Sequence, residues 1–449
     1  MKHRSSRRQF LQTGAGVVGA AFAAKEIRLE ATPVPVAARQ VPASDRVRFG
    51  MVGVGMQGSN LLGTAITLPG VECAAAADLY DGRHTRAREI AGASLKTTRR
   101  YQDLLADSTI DCIVAAVPDH WHRRIVVDAV SAGKDIYCEK PMSHSADDGR
   151  QMVAAAKKSG RIVQIGSQRT SSVLCAKARE LVAKGLLGDL QLVEGSLGRN
   201  NPTGAWVYPP PPDLSPTTLD WDTWQGDVSK RAFDPKIFAR WRCWKEYGTG
   251  VAGDLMVHLI TGMMYSWGIN EAPRRVMAMG GIRRFDDGRN MPDVHMSLFE
   301  YGDVPVYIRL DLGSESPEVL RFFGSKGVLE LNETGLTFAS QSGVDTSPSY
   351  YAWSFPEPLR SQYFAQWHAE HDPKPGQQPL YDSVSYRTDS YDDTRPHLWN
   401  FFQAVKSRKP VVQDAVFGHH AALACHMANE SYFQRKAMLY DPASDTVKS

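Results

Sequence analysis

The sequence predicts an α/β protein with a doubly wound parallel sheet at its N-terminal side, followed by an α+β domain with a large, mainly antiparallel open sheet. Two patterns support this. Between residues 48 and 165, short apolar segments alternate with helix-like segments, as in parallel βαβ units. Beyond residue 274, strand-like runs at 275–284, 293–300, 304–312, 319–323 and 327–339 follow one another. Gly and Asp between them indicate antiparallel connections.

The composition limits the classes of protein to consider. With 449 residues, 43% hydrophobic and 22% charged, the chain is long enough for two domains and has the balance of a globular protein. No apolar stretch is long enough to span a bilayer. Without the first 23 residues, 48 basic and 49 acidic residues remain, so nucleic acids and anionic membranes lose their electrostatic basis as partners.

The first residues have the pattern of an export signal. Four basic residues precede a Gly/Ala-rich apolar run at 10–24, and Ala21-Phe-Ala23 and Val36-Ala-Ala38 are candidate cleavage sites. Ser6-Arg7-Arg8-Gln9-Phe10-Leu11 resembles the twin-arginine motif, whose pathway carries folded proteins. We therefore expect the twin-arginine machinery as a partner and a periplasmic or otherwise exported protein. A disordered basic tail is the alternative.

The six cysteines show no metal-ligand or disulfide spacing. Cys73, Cys112 and Cys138 fall in apolar runs, and the other three are far apart. Buried reduced thiols are the expected state, and no metal site is predicted.

A glycine-rich turn follows the first apolar run. In Gly53-x-Gly55-x-x-Gly58, the first glycine permits a tight turn, the second lets the backbone approach a pyrophosphate, and the third lets the helix pack closely on the strand. The phosphates would then lie at the helix N-terminus beside Met56 and Gln57. The motif predicts a Rossmann-type dinucleotide site, although a plain turn remains the alternative.

Asp78 ends the second predicted strand, twenty residues after Gly58. An acid at this place accepts hydrogen bonds from the adenosine ribose and repels a 2′-phosphate, so NAD is favoured over NADP. Arg83 nearby keeps NADP open. A helix N-cap is the structural alternative for Asp78.

Two further turns lie at the carboxyl ends of predicted strands, where ligands bind in such sheets. In the first, Pro118-Asp119-His120-Trp121-His122, His122 faces either the cofactor or the helix surface, and Asp119 could cap the helix. In the second, Glu139-Lys140-Pro141, the lysine points toward the cofactor crevice unless it belongs to a solvated surface pair.

Asp254 and His258 are four residues apart on an apolar helical segment and project from one face. Two buried titratable groups on one face are costly unless they serve each other or a ligand. They are therefore candidate catalytic residues, with a hydrogen-bonded structural pair as the alternative.

The long segment 200–247 is rich in Pro and Trp and has no clear secondary-structure pattern, which is typical of a binding loop. Its aromatic residues, Trp206 and Tyr208 among them, either stack on sugar faces or pack together, and packing is favoured for any single one. Arg242 lies in the same segment. Gln168 and Arg169, just after the sixth strand, are candidates for the far wall of a nicotinamide site.

Together these motifs resemble the Gfo/Idh/MocA family, that of glucose–fructose oxidoreductase and inositol dehydrogenase, in its exported bacterial branch. The resemblance implies that Lys140 lies beside the nicotinamide and the substrate hydroxyl, that His258 exchanges the hydroxyl proton, and that Asp254 binds or orients the substrate. Thr261 stands where many relatives have an aspartate, which puts the finer sugar-binding pattern in doubt.

The predicted residues form three sets. The catalytic set is Lys140, His258 and Asp254. The cofactor-binding set is Gly53, Gly55, Met56, Gln57, Gly58, Asp78, Pro118, His122, Glu139, Lys140 and Gln168. The substrate-binding set is Arg169, Trp206, Tyr208 and Arg242.

We predict four regions: a signal peptide and linker at 1–45, an NAD(P)-binding Rossmann domain at 46–170, a substrate-binding and oligomerisation domain at 171–394, and C-terminal helices at 395–449 that return to the first domain. Residues 341–394 are polar, and 381–393 could form a lid, an oligomer arm or a surface loop. A homo-oligomer is expected.

The predicted function is hydride transfer to or from a hydroxyl-bearing carbon of a sugar, cyclitol or sugar derivative, with tightly bound NAD. One alternative is an NAD-dependent glycoside hydrolase or lyase that oxidises C3 transiently. Another is a binding protein that retains NAD without turnover.

Overall fold

The computed structural model describes residues 25–30, 34, 41–341, 343–345, 347–372, 382–389 and 392–449. The predicted export motif and both candidate cleavage sites lie outside the described residues. So do parts of the predicted lid or arm at 381–393.

Strands alternate with helices in the first part of the chain and dominate the second. The strands are β1 Lys25–Arg28, β2 Val47–Val52, β3 Val71–Ala77, β4 Lys96–Thr98, β5 Cys112–Ala115, β6 Asp135–Glu139, β7 Val163–Gly166, β8 Leu190–Gly198, β9 Arg275–Gly281, β10 Val294–Tyr301, β11 Val304–Asp311, β12 Ser316–Gly324, β13 Gly327–Asn332, β14 Gly335–Ser340, β15 Ser383–Arg387, β16 Met438–Asp441 and β17 Thr446–Lys448.

The helices cover both faces of the first sheet and one face of the second. They are α1 Met56–Ala65, α2 Asp81–Ala91, α3 Tyr101–Ala106, α4 His122–Ser131, α5 Ala146–Ser159, α6 Val173–Ala183, α7 Trp221–Trp224, α8 Pro235–Ala239, α9 Val257–Trp267, α10 Leu359–His371, α11 Thr394–Ser407 and α12 Ala415–Gln434.

The first sheet has six parallel strands in the order β4-β3-β2-β5-β6-β7. Counted within this domain, the order is 3-2-1-4-5-6, that of the Rossmann fold. The order reverses between β2 and β5, which opens a crevice at their carboxyl ends. The predicted parallel sheet is confirmed, although β4 and α3 were not predicted, because the Lys-Thr-Thr sequence of β4 lacks the apolar run used to recognise a buried strand.

The second sheet has eleven strands in the order β1-β15-β14-β13-β12-β8-β11-β10-β9-β16-β17. Only the pairs β1–β15 and β8–β11 are parallel among its described strands. The prediction of a large, mainly antiparallel sheet is therefore confirmed.

Several predicted boundaries in this sheet were wrong. The run 327–339 is two strands, because a turn at Glu333-Thr334 separates β13 from β14. The polar region 341–394 contains α10 and β15, and the predicted linker contains the edge strand β1. The polar sequences of β1 and β15 do not predict strands. These segments form strands because neighbouring strands pair with them.

The C-terminal helices have different partners. Phe401 and Phe402 of α11 are fully buried in the core of the Rossmann domain beside Phe49. Helix α12 lies between the domains, since Ala422 belongs to a core of the first and Leu423 to the core of the second. The last two strands, β16 and β17, extend the large sheet instead of returning to the first domain.

The Trp-rich segment forms a hydrophobic cluster that covers one end of the Rossmann crevice. Trp221 and Trp224 stack with ring centroids 4.9 Å apart, and both pack with Phe238 and Tyr247 in this cluster. Leu219 forms an isolated antiparallel bridge with Tyr80 of the first domain. Most of these aromatic rings therefore pack together, as favoured above, and the segment fastens the two domains.

Five of the six cysteines are buried and all six are free, whereas Cys73 is partly exposed. In the described parts of the chain, no helix is both long and apolar enough to cross a bilayer. Within the same residues, no three His, Cys, Asp or Glu side chains are grouped as metal ligands.

Candidate functional site

Two adjoining cavities run along the carboxyl ends of the parallel strands. One has a volume of about 360 Å³ and the other about 520 Å³. They form one cleft, because five residues line both: Arg83, Ala116, Val117, Pro118 and Trp224. The cleft has one pocket on each side of the glycine-rich turn, which is the shape expected of a site for an extended dinucleotide.

The glycine-rich turn has no room for side chains. Gly53 has a φ of 83°, and a Cβ there would overlap the Ala116 carbonyl oxygen. A Cβ on Gly58 would overlap the carbonyl oxygen of Gly53, and one on Gly55 would lie 3.3 Å from the Arg83 guanidinium. The structure therefore passes a physical test for a pyrophosphate cradle: bare backbone beside the N-terminus of α1, with an arginine across from it.

Asp78 lines the smaller cavity at the end of β3. Its carboxylate accepts hydrogen bonds from the backbone N–H groups of Val54, at 2.8 Å, and Tyr80, at 3.0 Å. Arg83 Nη1 lies 3.5 Å from the same carboxylate. Asp78 does not cap α2, which begins at Asp81. Its carboxylate instead accepts a hydrogen bond from the glycine-rich turn and forms part of the wall of the cavity.

The smaller cavity has a wall from each domain. Asp220, Thr223 and Trp224 of the Trp-rich segment lie opposite the ends of β2 and β3. Arg99 also lines it, but its guanidinium donates two hydrogen bonds to Asp81, at 2.8 and 2.7 Å. The sequence analysis did not identify these residues, because segments more than a hundred residues apart form the wall.

Glu139 is the centre of a polar cluster in the wall of the larger cavity. Its Oε1 accepts hydrogen bonds from Gln57, at 3.0 Å, and from Tyr137 and Gln168, each at 3.3 Å. Burial raises the pKa of Glu139 despite the nearby Lys140 charge. The cluster links the N-terminus of α1 to the turn after β7, and Gln57, Glu139 and Gln168 all line the larger cavity with Met56.

Lys140 and Asp254 meet in the larger cavity across the domain boundary. The Lys140 ammonium donates to the Asp254 carbonyl oxygen at 2.7 Å and to Asp254 Oδ1 at 2.9 Å. Arg242 Nε donates to the same Oδ1 at 2.9 Å. Burial acts to raise the pKa of Asp254, but Lys140 and Arg242 outweigh it and hold this pKa well below its usual value.

Asp254 lies in a π-helical turn, Ala252–Met256, instead of the regular α-helix that was predicted. Such turns are uncommon and frequently occur at functional sites. A Cβ on Gly253 would overlap the Thr249 side chain, so this turn depends on the glycine. The turn leads directly into α9, which carries His258.

His258 lines the same cavity as Lys140 and Asp254 and makes no hydrogen bond with a described residue. Burial, together with the charges of Lys140 and Arg169, lowers its pKa well below 6.5. The imidazole is therefore neutral near neutral pH and can accept a proton from a ligand in the cavity.

His122 needs a correction as a predicted cofactor contact. Its ring is fully buried, with Nδ1 2.7 Å from the Pro141 carbonyl oxygen and Nε2 2.9 Å from that of Val117. Burial acts against the charged ring, but Cys138, Asp119 and the Pro141 carbonyl raise the pKa of His122 to about 10. His122 thus holds two turns of the cleft together from behind and does not reach the cavity.

Asp119 does not cap a helix either. Its carboxylate accepts hydrogen bonds from the Thr249 backbone N–H at 2.9 Å and from the Thr249 hydroxyl at 2.7 Å. It therefore joins the Rossmann domain to the turn that precedes Asp254.

The predicted substrate-binding residues divide into two groups. Trp206, Tyr208 and Arg242 line the larger cavity, with Trp206 buried at a φ of 61°. Arg169 lines a neighbouring cavity of about 280 Å³, and its guanidinium donates to Glu318 at 2.5 Å and lies 3.7 Å from Asp393. The structure therefore places Arg169 outside the main cavity, because two carboxylates hold it.

Arg199 lines both the main and the neighbouring cavity and was not predicted. It follows β8 directly, and a polar residue at a strand end beside a long loop is a signal that could have identified it.

The Rossmann sheet, the glycine cradle and the Lys-Asp-His cluster beside it define a two-domain protein with a Rossmann-type dinucleotide-binding fold. Residues 47–167 match the sequence model of the Gfo/Idh/MocA family, described as an oxidoreductase family with an NAD-binding Rossmann fold. The match is confined to the N-terminal domain, which is thus similar to the Rossmann domain of that family.

The similarity to the curated proteins named below covers about a third of the chain. The chain is 31% identical over 151 residues to inositol 2-dehydrogenase of Salmonella paratyphi B, which covers 33% of this chain and 45% of the relative. It is also 31% identical over 148 residues to the rhizopine catabolism protein MocA of Rhizobium meliloti, covering 33% and 46%. The matches span less than half the length of these relatives.

Solved structures share the fold over most of the chain. Levoglucosan dehydrogenase in complex with NADH and levoglucosan has a TM-score of 0.60 at 19% identity, covering 87% of this chain and 98% of that one. Aldose–aldose oxidoreductase from Caulobacter crescentus, complexed with glycerol, has a TM-score of 0.62 at 17% identity, covering 88% and 99%. At these identities the similarity concerns the fold alone.

Proposed function

We propose that this protein is an NAD-dependent oxidoreductase that acts on a hydroxyl-bearing carbon of a sugar, cyclitol or sugar derivative. The observation that carries the proposal is the position of Lys140, Asp254 and His258 in a cavity continuous with the glycine cradle. The named activities of the relatives support a polyol or sugar as the substrate class.

The glycine-rich turn and Asp78 would hold NAD in the cleft, and NAD would supply the hydride chemistry for interconverting a carbinol and a carbonyl. The Lys140 ammonium uses two of its three protons on Asp254, so its third can donate to the substrate oxygen. Neutral His258 takes up the hydroxyl proton as the carbonyl forms and returns it in the reverse direction. Asp254 positions Lys140, and Trp206 and Tyr208 provide apolar surface for the ring of the substrate.

Asp78 favours NAD over NADP, because its carboxylate lines the wall where a 2′-phosphate would have to lie. Arg99 is already paired with Asp81, so Arg83 is left as the nearby cation.

Tight retention of NAD is part of the proposal. The cavity beside Asp78 is walled by both domains, so the Trp-rich segment and the Rossmann domain would both contact a bound adenosine. A twin-arginine substrate folds before export, so cofactor would be loaded in the cytoplasm and carried to the periplasm.

Mass spectrometry of the purified protein tests the cofactor assignment. Under native conditions the mass should exceed the chain by one dinucleotide, and denaturation should release NAD. A protein that carries no dinucleotide and shows no binding of added NAD would contradict the proposal.

Lys140→Met tests the catalytic assignment. Loss of the donated hydrogen bond and charge should lower NADH formation from a sugar or polyol by about 10²-fold or more while NAD stays bound. Lys157→Met, on the exposed side of α5, is the matched control and should retain full activity. Unchanged turnover in Lys140→Met would favour an NAD-retaining binding protein.

Aryl glycosides distinguish net oxidation from glycoside cleavage. Phenol release without added cofactor and without net NADH would favour the hydrolase or lyase alternative. Steady NADH formation from a free polyol supports the proposed oxidoreductase.

A further inference from the structure

We propose that the substrate of this site carries a carboxylate, as in a uronate or aldonate, and that Arg199 and Arg242 bind it. The inference rests on the proposed function and adds the charge of the substrate to it. It follows from an excess of cationic side chains in the larger cavity.

Arg242 is placed to donate into this cavity. Its Nε is bonded to Asp254, and its guanidinium stacks on Trp241, with the central carbon 4.2 Å from the ring centroid. The two terminal amino groups of Arg242 donate to no described residue. Stacking and the Nε bond fix the plane of the guanidinium, so these donors are held in one direction before a ligand arrives.

Arg199 lies on the same side of the cavity and has no carboxylate partner among the described residues. Its one hydrogen bond, from Nη1 to the Gly204 carbonyl oxygen, is long at 3.4 Å. Burial raises the pKa of Tyr208 and lowers that of His258, and the Arg199 charge is among the smaller influences on both. Arg199, Tyr208 and His258 all line the larger cavity, and Arg199 and His258 also line the neighbouring one.

The cavity holds more positive than negative groups. Four cationic residues line it, namely Arg83, Lys140, Arg199 and Arg242, against the two acids Glu139 and Asp254. Asp254 Oδ1 already serves both Lys140 and Arg242. Glu139 is occupied by Gln57, Tyr137 and Gln168.

The cofactor accounts for only part of this excess. Arg83 lies against the glycine-rich turn and Asp78, so it belongs to the pyrophosphate end. Arg199 and Arg242 come from the second domain and share their wall with Trp206 and Tyr208. A partly buried arginine without a counter-ion is costly, and a substrate anion removes that cost.

A carboxylate fits these donors better than a neutral hydroxyl. Planar guanidinium groups bind carboxylates through paired, charge-assisted N–H···O bonds, which are roughly twice as strong as neutral ones. The arginines would also fix which end of the substrate enters, because only one end carries the charge.

The test compares acids with their neutral counterparts on the NAD-loaded protein. The pairs are D-glucuronate with D-glucose, D-galacturonate with D-galactose, and D-gluconate with sorbitol, with D-glucose 6-phosphate as a separate anion. At least one acid should give a kcat/KM for NADH formation about tenfold or more above its neutral partner. Calorimetry should show the same preference in binding.

Arg199→Gln identifies the residue responsible. It should lower kcat/KM and binding of the preferred acid by about tenfold or more, and change those of the neutral partner less than about threefold. Arg321→Gln, which removes the same charge from a paired surface arginine on β12, is the matched control and should change neither.

Different results overturn different conclusions. Equal or faster reaction of the neutral compounds, or no binding of any acid, overturns the carboxylate inference and leaves the oxidoreductase proposal standing. Preference for the phosphate over every acid also overturns it. Arg199-dependent binding of an acid without turnover supports the inference while counting against the proposed reaction.

Discussion

At the residue scale, Asp254 is the counter-ion of two cations of the cavity, and its contact with the substrate stays a prediction. Sequence resemblance suggested that it binds or orients the substrate. In the structure, its Oδ1 accepts bonds from both Lys140 and Arg242, so it positions two cations of the cavity. Its depressed pKa keeps it ionised throughout the physiological range, which is what a fixed counter-ion requires.

The pKa of His258 predicts how activity depends on pH. Because burial lowers its pKa well below 6.5, the neutral, proton-accepting form persists at pH values where an ordinary histidine is protonated. As pH falls, the rate of NADH formation should therefore decrease only below about pH 6.5. As pH rises through the pKa of His258, the rate should increase.

His258→Asn is the variant that assigns this acid limb. Turnover should fall by about 10²- to 10⁴-fold, and the remaining activity should no longer show the limb. Circular dichroism at each pH separates this effect from unfolding. An unchanged acid limb in His258→Asn would show that another group controls it.

His122 and Asp119 show why single residues in a motif are hard to interpret. The sequence places them at the end of β5, where ligand contacts are common. Their actual partners are carbonyls of Val117 and Pro141 for the histidine, and Thr249, 130 residues away, for the aspartate. Those partners depend on domain packing, so no local pattern reveals them.

At the element scale, helix α1 contains a matched pair of glycines, Gly58 near its N-terminus and Gly63 near its C-terminus. A Cβ on Gly58 would overlap the carbonyl oxygen of Gly53, whereas one on Gly63 would meet only an Ile90 methyl group, at 3.8 Å. Gly58→Ala should therefore displace α1 from the turn and abolish retention of NAD. Gly63→Ala should retain NAD and stabilise the fold by about 0.5–1 kcal/mol, through helix propensity.

Native mass spectrometry and thermal unfolding check this pair. Retention of NAD by Gly58→Ala would show that the turn is not the cradle. Loss of NAD in Gly63→Ala would show that the helix, and not the close approach at Gly58, controls binding.

The position of strand β1 leads to a prediction about where the signal peptide is cleaved. Lys25–Arg28 pairs in parallel with Ser383–Arg387 at the edge of the large sheet, and Leu29 N–H donates to the Arg387 carbonyl oxygen at 2.7 Å. Cleavage after Ala23 keeps this strand, whereas cleavage after Ala38 removes it and exposes the edge of β15. We expect the first site to be used.

N-terminal sequencing of the exported protein checks the cleavage site. A chain that begins shortly after Ala23 agrees with the prediction, and one that begins after Ala38 contradicts it. Replacement of Arg7 and Arg8 by Lys should abolish export by the twin-arginine route and serves as the control for the pathway.

At the scale of the whole molecule, buried histidines should make the fold sensitive to acid. Burial lowers the pKa of His120, His295 and His397 to about 4 and that of His426 to about 3. Unfolded histidines have a pKa near 6.5, so the unfolded chain binds more protons between pH 6.5 and 4. The stability that these four histidines contribute is therefore fully present above about pH 6.5 and falls as pH decreases through this range.

Three carboxyl groups oppose this trend. Burial raises the pKa of Asp393 to about 6 and also raises the pKa values of Glu139 and Asp119, so the native state keeps protons there that the unfolded chain releases. The four histidines outnumber these three carboxyl groups, and each histidine contributes on the order of 3–5 kcal/mol at most. The midpoint of thermal unfolding should fall steeply from pH 6.5 to 4.5.

Variants test the origin of this pH dependence. His426→Asn should reduce the number of protons taken up on unfolding by about one, so that stability depends less steeply on pH. His368→Gln, at an exposed position on α10, should leave the pH dependence of stability as in the parent chain. The same slope in both variants would show that buried histidines do not cause it.

Local patterns were enough to predict the architecture. Apolar strands alternating with helices and the Gly53–Gly58 turn predicted the parallel sheet, because close packing at a glycine-rich turn is a short-range requirement. The antiparallel sheet was recognised from its hairpins. Polar strands such as β4 and β15 were missed, because only their neighbours make them strands.

The sequence by itself determined the candidate catalytic residues: Lys140, Asp254 and His258 were selected from local motifs and from the family resemblance. Only the tertiary structure decided how they are connected, because Lys140 and Asp254 are 114 residues apart and meet where two domains pack. The same packing of the domains places Arg199 beside the cavity and leaves His122 buried outside it. Contacts between distant segments follow from how whole surfaces fit, and no local pattern records that fit.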